Sequence, residues 1–205
     1  MNERTIVAVS AGLGQPSSTR LLADRLAEAT VTELAERGVS ATVETVELRD
    51  VAHEIINTML TGFATGELAK VMEKVTGADG IIAVSPLFTT TYSGLFKSFV
   101  DIIDKDALTG VPVLLGATGG TPRHSLALEY SMRPLFTYLR ADVATTSVFA
   151  ATDDWAGEGD TVNPLPARIR RAGRELAEMV AAHEGGGVAD LYADVPSFGQ
   201  MLGSM

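Results

Sequence analysis

The sequence contains no cysteine, which removes disulfides and thiol chemistry from consideration. Histidine is scarce. His53, His124 and His183 stand far apart and none shares a zinc-type spacing with acidic residues, so no protein-bound metal is expected. No Ser-His-Asp or Cys-His set suggests a nucleophile. No apolar run approaches the roughly 18 residues that a membrane span needs. Residues 1–4 lead into an apolar segment without the layout of a signal peptide. Positive charge is also short: 16 Lys and Arg against 26 Asp and Glu leave a net charge of −10, which argues against nucleic acid and anionic membrane as partners. A cytoplasmic protein is the expectation. Any anion it binds must be held by local geometry and not by the overall field.

What is present suffices for one well-filled domain: 205 residues, 46% of them hydrophobic. Five apolar segments read as strands, at 5–10, 41–48, 80–85, 111–116 and 143–150. The first, third and fourth are nearly unbroken apolar runs, the mark of strands covered on both faces. The second and fifth are more polar, as edge strands tend to be. Helical spacing of apolar residues appears at 18–37, 67–76, 92–104, 125–139 and 165–183. Alternating strands and helices imply right-handed crossovers and a parallel five-stranded sheet, of order 2-1-3-4-5. Residues 1–184 read as one domain. The glycines at 185–187 open a tail, 185–205, of unassigned role.

In such a sheet ligands bind beyond the carboxyl ends of the strands, where the strand order reverses. The loops after strands 1, 3 and 4 therefore belong together. The first, SAGLGQPSSTR from Ser10 to Arg20, places small residues and hydroxyls at a helix start, where free amides and the helix dipole favour an anion. One hydroxyl would cap the helix; Ser17, Ser18 and Thr19 in a row point to a phosphate, with Arg20 adding charge. The spacing is neither that of a Walker loop nor of the dinucleotide fingerprint. After strand 3, SPLFTTTYSGLFKSFVD begins with Pro86, which is expected to stop the strand, and a loop follows over 87–91. Its amides and threonines suit the polar edge of a flat heterocycle, and Leu87 and Phe88 suit its face. After strand 4 comes GATGGTPRH, where Gly119 and Gly120 permit close backbone approach.

Together these three stretches resemble the NADPH-dependent FMN reductase family, over roughly residues 5–150, and most closely the flavin reductases that supply two-component, luciferase-like monooxygenases. The resemblance implies a flavodoxin-like α/β three-layer sandwich. It implies FMN and NADPH or NADH as cofactors, with hydride passing from nicotinamide to flavin and no catalytic side chain required. By the same resemblance Ser10, Ser17, Ser18, Thr19 and Arg20 match the FMN-phosphate loop. Pro86, Leu87, Phe88 and Thr89 match the segment along the ring, and Thr118, Gly119 and Gly120 match the loop at its other edge. Two alternatives stay open: a reductase that keeps its FMN and reduces quinones or azo dyes, and a flavodoxin-type electron carrier.

The segment 92–104 carries one more expectation. Lys97, Asp101 and Asp104 form a single polar stripe, and the apolar arc around them exceeds what one sheet covers. A second surface is implied, and a homodimer or homotetramer would supply it. Arg123 and His124 could meet the NADPH phosphates or the ribityl chain, but read first as a solvated arginine and a helix cap. Pro134 is expected to kink its helix. Trp155, the single tryptophan, could close over a ring from a partner subunit, but is read first as a packing residue.

Overall fold

Strands that are apolar on both faces need a helical layer on each side. In the computed structural model, which describes residues 3–183, the chain supplies both layers. The elements are β1 (Arg4–Ser10), α1 (Ser18–Glu36), β2 (Ala41–Glu47), α2 (Ala52–Thr61), α3 (Gly66–Thr76), β3 (Gly80–Phe88), β4 (Thr91–Tyr92), α4 (Gly94–Asp101), β5 (Pro112–Gly119), α5 (Arg133–Tyr138), β6 (Asp142–Val143), β7 (Val148–Ala151), α6 (Thr152–Ala156) and α7 (Leu165–Ala182). The expected tail at 185–205 lies outside the described residues.

Side chains alternate across the sheet with period two. Ile6, Ala8, Ile82, Val84 and Leu114 pack against α1 and α7, with Leu22, Leu26, Leu176 and Val180. Val7, Val9, Ile81, Ala83, Val113 and Leu115 face the other way, toward Ile55, Val71, Phe96, Phe99 and Phe136. This is the expected flavodoxin-like sandwich.

The strands run β2-β1-β3-β5 and then a fifth position, all parallel. That is the expected order, but with seven strands in place of five. The fifth position is divided between β6 and β7, which pair with opposite ends of β5. The amides of Thr145 and Thr146 turn from the sheet to the carboxylate of Glu175 on α7, at 2.5 and 3.0 Å. Arg133 donates to the carbonyls of Ala144 and Thr145 at 2.9 and 3.1 Å. Side chains thus satisfy backbone groups that a continuous strand would pair.

The other added strand comes from Pro86, which does not stop β3. Ala11 donates to the carbonyl of Val84 at 2.9 Å, so Val84 bonds toward β1. Pro86, two residues on, faces the same side, where β1 has already ended. Its missing N–H therefore costs no ladder bond. On the other side Pro86 still pairs with Thr118. The strand runs on to Phe88 and folds back through a two-residue turn, with Leu87 opposite Tyr92 and Phe88 opposite Thr91.

The wide apolar arc of α4 is covered within the chain. Phe96, Phe99, Val100 and Ile103 are buried, and the second surface comes from α2, absent from the sequence reading, and from α5. The argument that α4 needs another subunit loses its premise. The helix expected at 125–139 runs unbroken over 127–138, but its first part, Leu128–Met132, is π-helical and passes directly into α5, whose first turn holds Pro134; a separate turn at Pro122–His124 precedes it.

Candidate functional site

At the carboxyl ends of β1, β3 and β5 lies a cavity of about 480 Å³, ample for a mid-sized organic ligand. The three loops singled out in the sequence meet there. From the first come Gly12, Gly14, Ser17, Ser18 and Thr19; from the second Pro86, Leu87 and Phe88; from the third Thr118, Gly119 and Gly120.

The first loop is built around the start of α1. Ser17 is its N-cap, and its hydroxyl accepts from the amide of Arg20 at 3.2 Å. The amides of Ser18 and Thr19 have no intrahelical acceptor. Gly12 arches so close over this turn that a Cβ there would lie 2.1 Å from Ser17 Oγ and 3.1 Å from Thr19 Cβ. Thr19, buried, meets Thr118 with hydroxyl oxygens 2.8 Å apart, which ties the helix start to the end of β5. Ser18 is the hydroxyl left exposed at the cavity.

Leu87 and Phe88 give the opposite wall its apolar face, with Phe88 about half exposed. At the end of β5, a Cβ on Gly119 would stand 2.9 Å from the ring of Phe149, while one on Gly120 would meet no protein atom within 4 Å. The chain therefore comes close to Phe149 at Gly119 and leaves open space at Gly120.

Three of the expected residues lie outside the lining. Ser10 is buried at the end of β1, and its hydroxyl sits 3.5 Å from the amide of Gly12. Thr89 forms the exposed tip of the β3–β4 turn. Arg20 turns away: Nε donates to Asp24 at 2.8 and 3.0 Å and Nη1 to Glu47 at 3.2 Å. The Asp24 hydrogen bond, with help from Glu47, outweighs partial burial and raises the guanidinium above its ordinary value. Arg20 stays charged, but its charge serves these carboxylates.

Five further residues complete the wall: Leu13 and Pro16 from the first loop, and, from a part of the chain the sequence reading did not connect with the three loops, Ala150, Thr152 and Trp155. Trp155 stands on α6, directly after the fifth sheet position, with the guanidinium carbon of Arg25 5.3 Å from its ring centroid. The rule that selected the other loops, applied to the end of the fifth strand as well, would have found it. Arg123 and His124 sit in an exposed turn outside the lining. Among the described residues, nothing lining the cavity is charged or titrates near neutrality.

The family model for NADPH-dependent FMN reductase matches residues 4–156. An FMN reductase (NADPH) of Pseudomonas aeruginosa is 37% identical over 176 residues, covering 85% of this chain and 91% of that protein. An NADH-dependent FMN reductase, SfnF, of Pseudomonas fluorescens is 34% identical over 180 residues, covering 87% and 92%. The crystal structure of an oxidoreductase from Corynebacterium diphtheriae superposes with a TM-score of 0.84 at 41% identity, covering 88% of this chain and 98% of that one. The chain belongs to the NADPH-dependent FMN reductase family and is an NAD(P)H:FMN oxidoreductase.

Proposed function

We propose that this member of the NADPH-dependent FMN reductase family binds FMN in the cavity at the ends of β1, β3 and β5, takes it as an exchangeable substrate, and passes the reduced form to a two-component, luciferase-like monooxygenase. The observation that carries this reading is the lining itself. The first loop brings the start of a helix and its hydroxyls, the end of β3 brings Leu87 and Phe88, the end of β5 brings two glycines, and no charged residue is among the lining.

The residues present suit FMN. The first amides of α1 and the Ser18 hydroxyl favour a phosphate through hydrogen bonds and the helix dipole. Leu87 and Phe88 offer contact to a flat ring, and Gly119 and Gly120 admit close backbone approach. The flavin, when bound, supplies the hydride-accepting ring. The chain's share is to orient that ring, to hold the phosphate and to leave one face accessible, which needs no acid or base. The phosphate would be held by neutral donors, without an ion pair from the lining; exchange of the whole flavin is the part of the proposal that the assay below decides. Half-exposed Leu13 and Phe88 keep the mouth open to a second ligand.

Self-association belongs to this proposal too, moved from α4 to exposed Ile56, Met59, Leu60 and Phe63 on and just beyond α2. A monodisperse monomer at micromolar concentration, by mass measurement, removes it.

Oxidation of NADPH and NADH is to be followed spectrophotometrically with and without added FMN. The reading expects turnover that depends on added FMN and saturates with it. Full activity without added FMN would show a retained cofactor instead. No oxidation of either donor would overturn the assignment of the cavity.

A further inference from the structure

We infer that Arg49 is a positioning residue for the phosphate loop, holding the Gly14 carbonyl away from the bound anion. The inference rests on the proposed reading of residues 12–19 as that loop.

Arg49 lies in the short turn Leu48–Val51 that follows β2. Its Nη1 donates to the carbonyl oxygen of Gly14 at 2.8 Å. Nη2 donates to Glu47. The Gln15 amide is assigned with its oxygen toward the same guanidinium, which offers only donors; so oriented, it accepts from Nη2 at 2.8 Å and Nη1 at 3.2 Å. Glu47 in turn accepts from Arg20, and Arg20 from α1 reaches Asp24. An unbroken relay, Asp24–Arg20–Glu47–Arg49–Gly14, thus joins the first turns of α1, the end of β2 and the middle of the loop. The side chains of Arg49 and Glu47 are only 20% and 13% exposed, which shields their pairing from solvent.

The consequence follows from peptide planarity. In the trans peptide between Gly14 and Gln15 the carbonyl and the next amide point in opposite directions. Drawing the Gly14 oxygen toward Arg49 turns the Gln15 N–H away from it and takes a lone pair out of an anion's surroundings. Arg49 itself does not line the cavity. Both of its terminal nitrogens are committed, so it acts on the anion through the loop. A lysine cannot hold Gly14 and Glu47 in one plane as the guanidinium fork does.

The test compares FMN with riboflavin, which lacks the phosphate. Dissociation constants for both are measured by tryptophan fluorescence on the wild type, Arg49→Met and Arg49→Lys, with circular dichroism to confirm folding. In Arg49→Met the FMN constant is expected to rise about tenfold while that of riboflavin moves less than twofold. An equal rise for both flavins, or no rise for FMN, overturns the inference. Should Arg49→Met not fold, Arg49→Lys carries the test: an FMN-selective loss of about threefold supports it, and none overturns it. A wild type that binds FMN no tighter than riboflavin would instead sink the reading of the phosphate loop, before any variant is compared.

Discussion

The hydroxyls of Thr19 and Thr118 lie 2.8 Å apart, buried, and join the first turn of α1 to the end of β5 across 99 residues of sequence. Two of the three site loops are thereby fixed to each other before any ligand arrives. Thr19→Val or Thr118→Val alone strands the surviving hydroxyl and is expected to cost about 1–2 kcal/mol. The double variant strands neither, so its loss should fall short of the sum by at least ~0.5 kcal/mol. Denaturant midpoints of the four proteins check this, and strict additivity would show that the pair does not interact.

Gly12→Ala places a methyl group where Ser17 Oγ now sits, 2.1 Å from the ideal Cβ. Ser17 must leave its capping position, at a stability cost of about 1 kcal/mol. The loop shifts with it, and the KM for FMN should rise several-fold while that for the nicotinamide donor changes less. Steady-state kinetics with each substrate varied in turn reads the difference.

The turn between β3 and β4 carries a backbone strain that substitution can release. Thr89 and Thr90 have φ of 50° and 78°, values that suit a tight hairpin but crowd a β-branched side chain. Replacing the pair by Asn-Gly is expected to raise stability by about 1 kcal/mol or more. An unchanged or lowered denaturant midpoint would show that the turn is relaxed as it stands.

Glu175 predicts a pH dependence. Partial burial pushes its carboxyl up, but hydrogen bonds from Thr146 and Thr145 outweigh burial and hold it below the ordinary value of 4.5. Its folded value is therefore lower than its unfolded one. The stabilisation is complete above about pH 4.5 and is lost as pH falls through the depressed folded value. Glu175→Gln should lower the thermal midpoint at pH 6, and its gap from the wild type should narrow by pH 3.5. A constant gap across that range would dissociate the carboxylate's charge from its hold on the 145–146 backbone.

Much of this fold is written in patterns that sequence displays directly. Unbroken runs such as those around Val7, Ile82 and Leu114 require cover on both faces, and glycines and hydroxyls mark the loops between. What escaped depends on partners far along the chain. That β3 runs on past Pro86 depends on where β1 ends. That the fifth strand breaks depends on Glu175 and Arg133, about 30 and 12 residues away from Thr145. Helix α6 spans 5 residues, too little for a clear period, and α2 carries apolar residues on its exposed side as well, Ile56, Met59 and Leu60 beside buried Ile55, which blurs its stripe. At the site the small residues were legible because clustered glycines and hydroxyls stand out where apolar strand runs end. The outward turn of Arg20 was not, because it is decided by two carboxylates, one of which, Glu47, stands on another strand.

The lone indole of the chain, Trp155, forms part of the cavity wall. Every photon of its ultraviolet emission therefore originates at the wall of the cavity proposed for the flavin. The protein carries a built-in optical gauge of its own occupancy, free of background from other tryptophans and requiring no label. A flavin seated there would absorb that energy and dim the signal in proportion to the fraction of molecules filled.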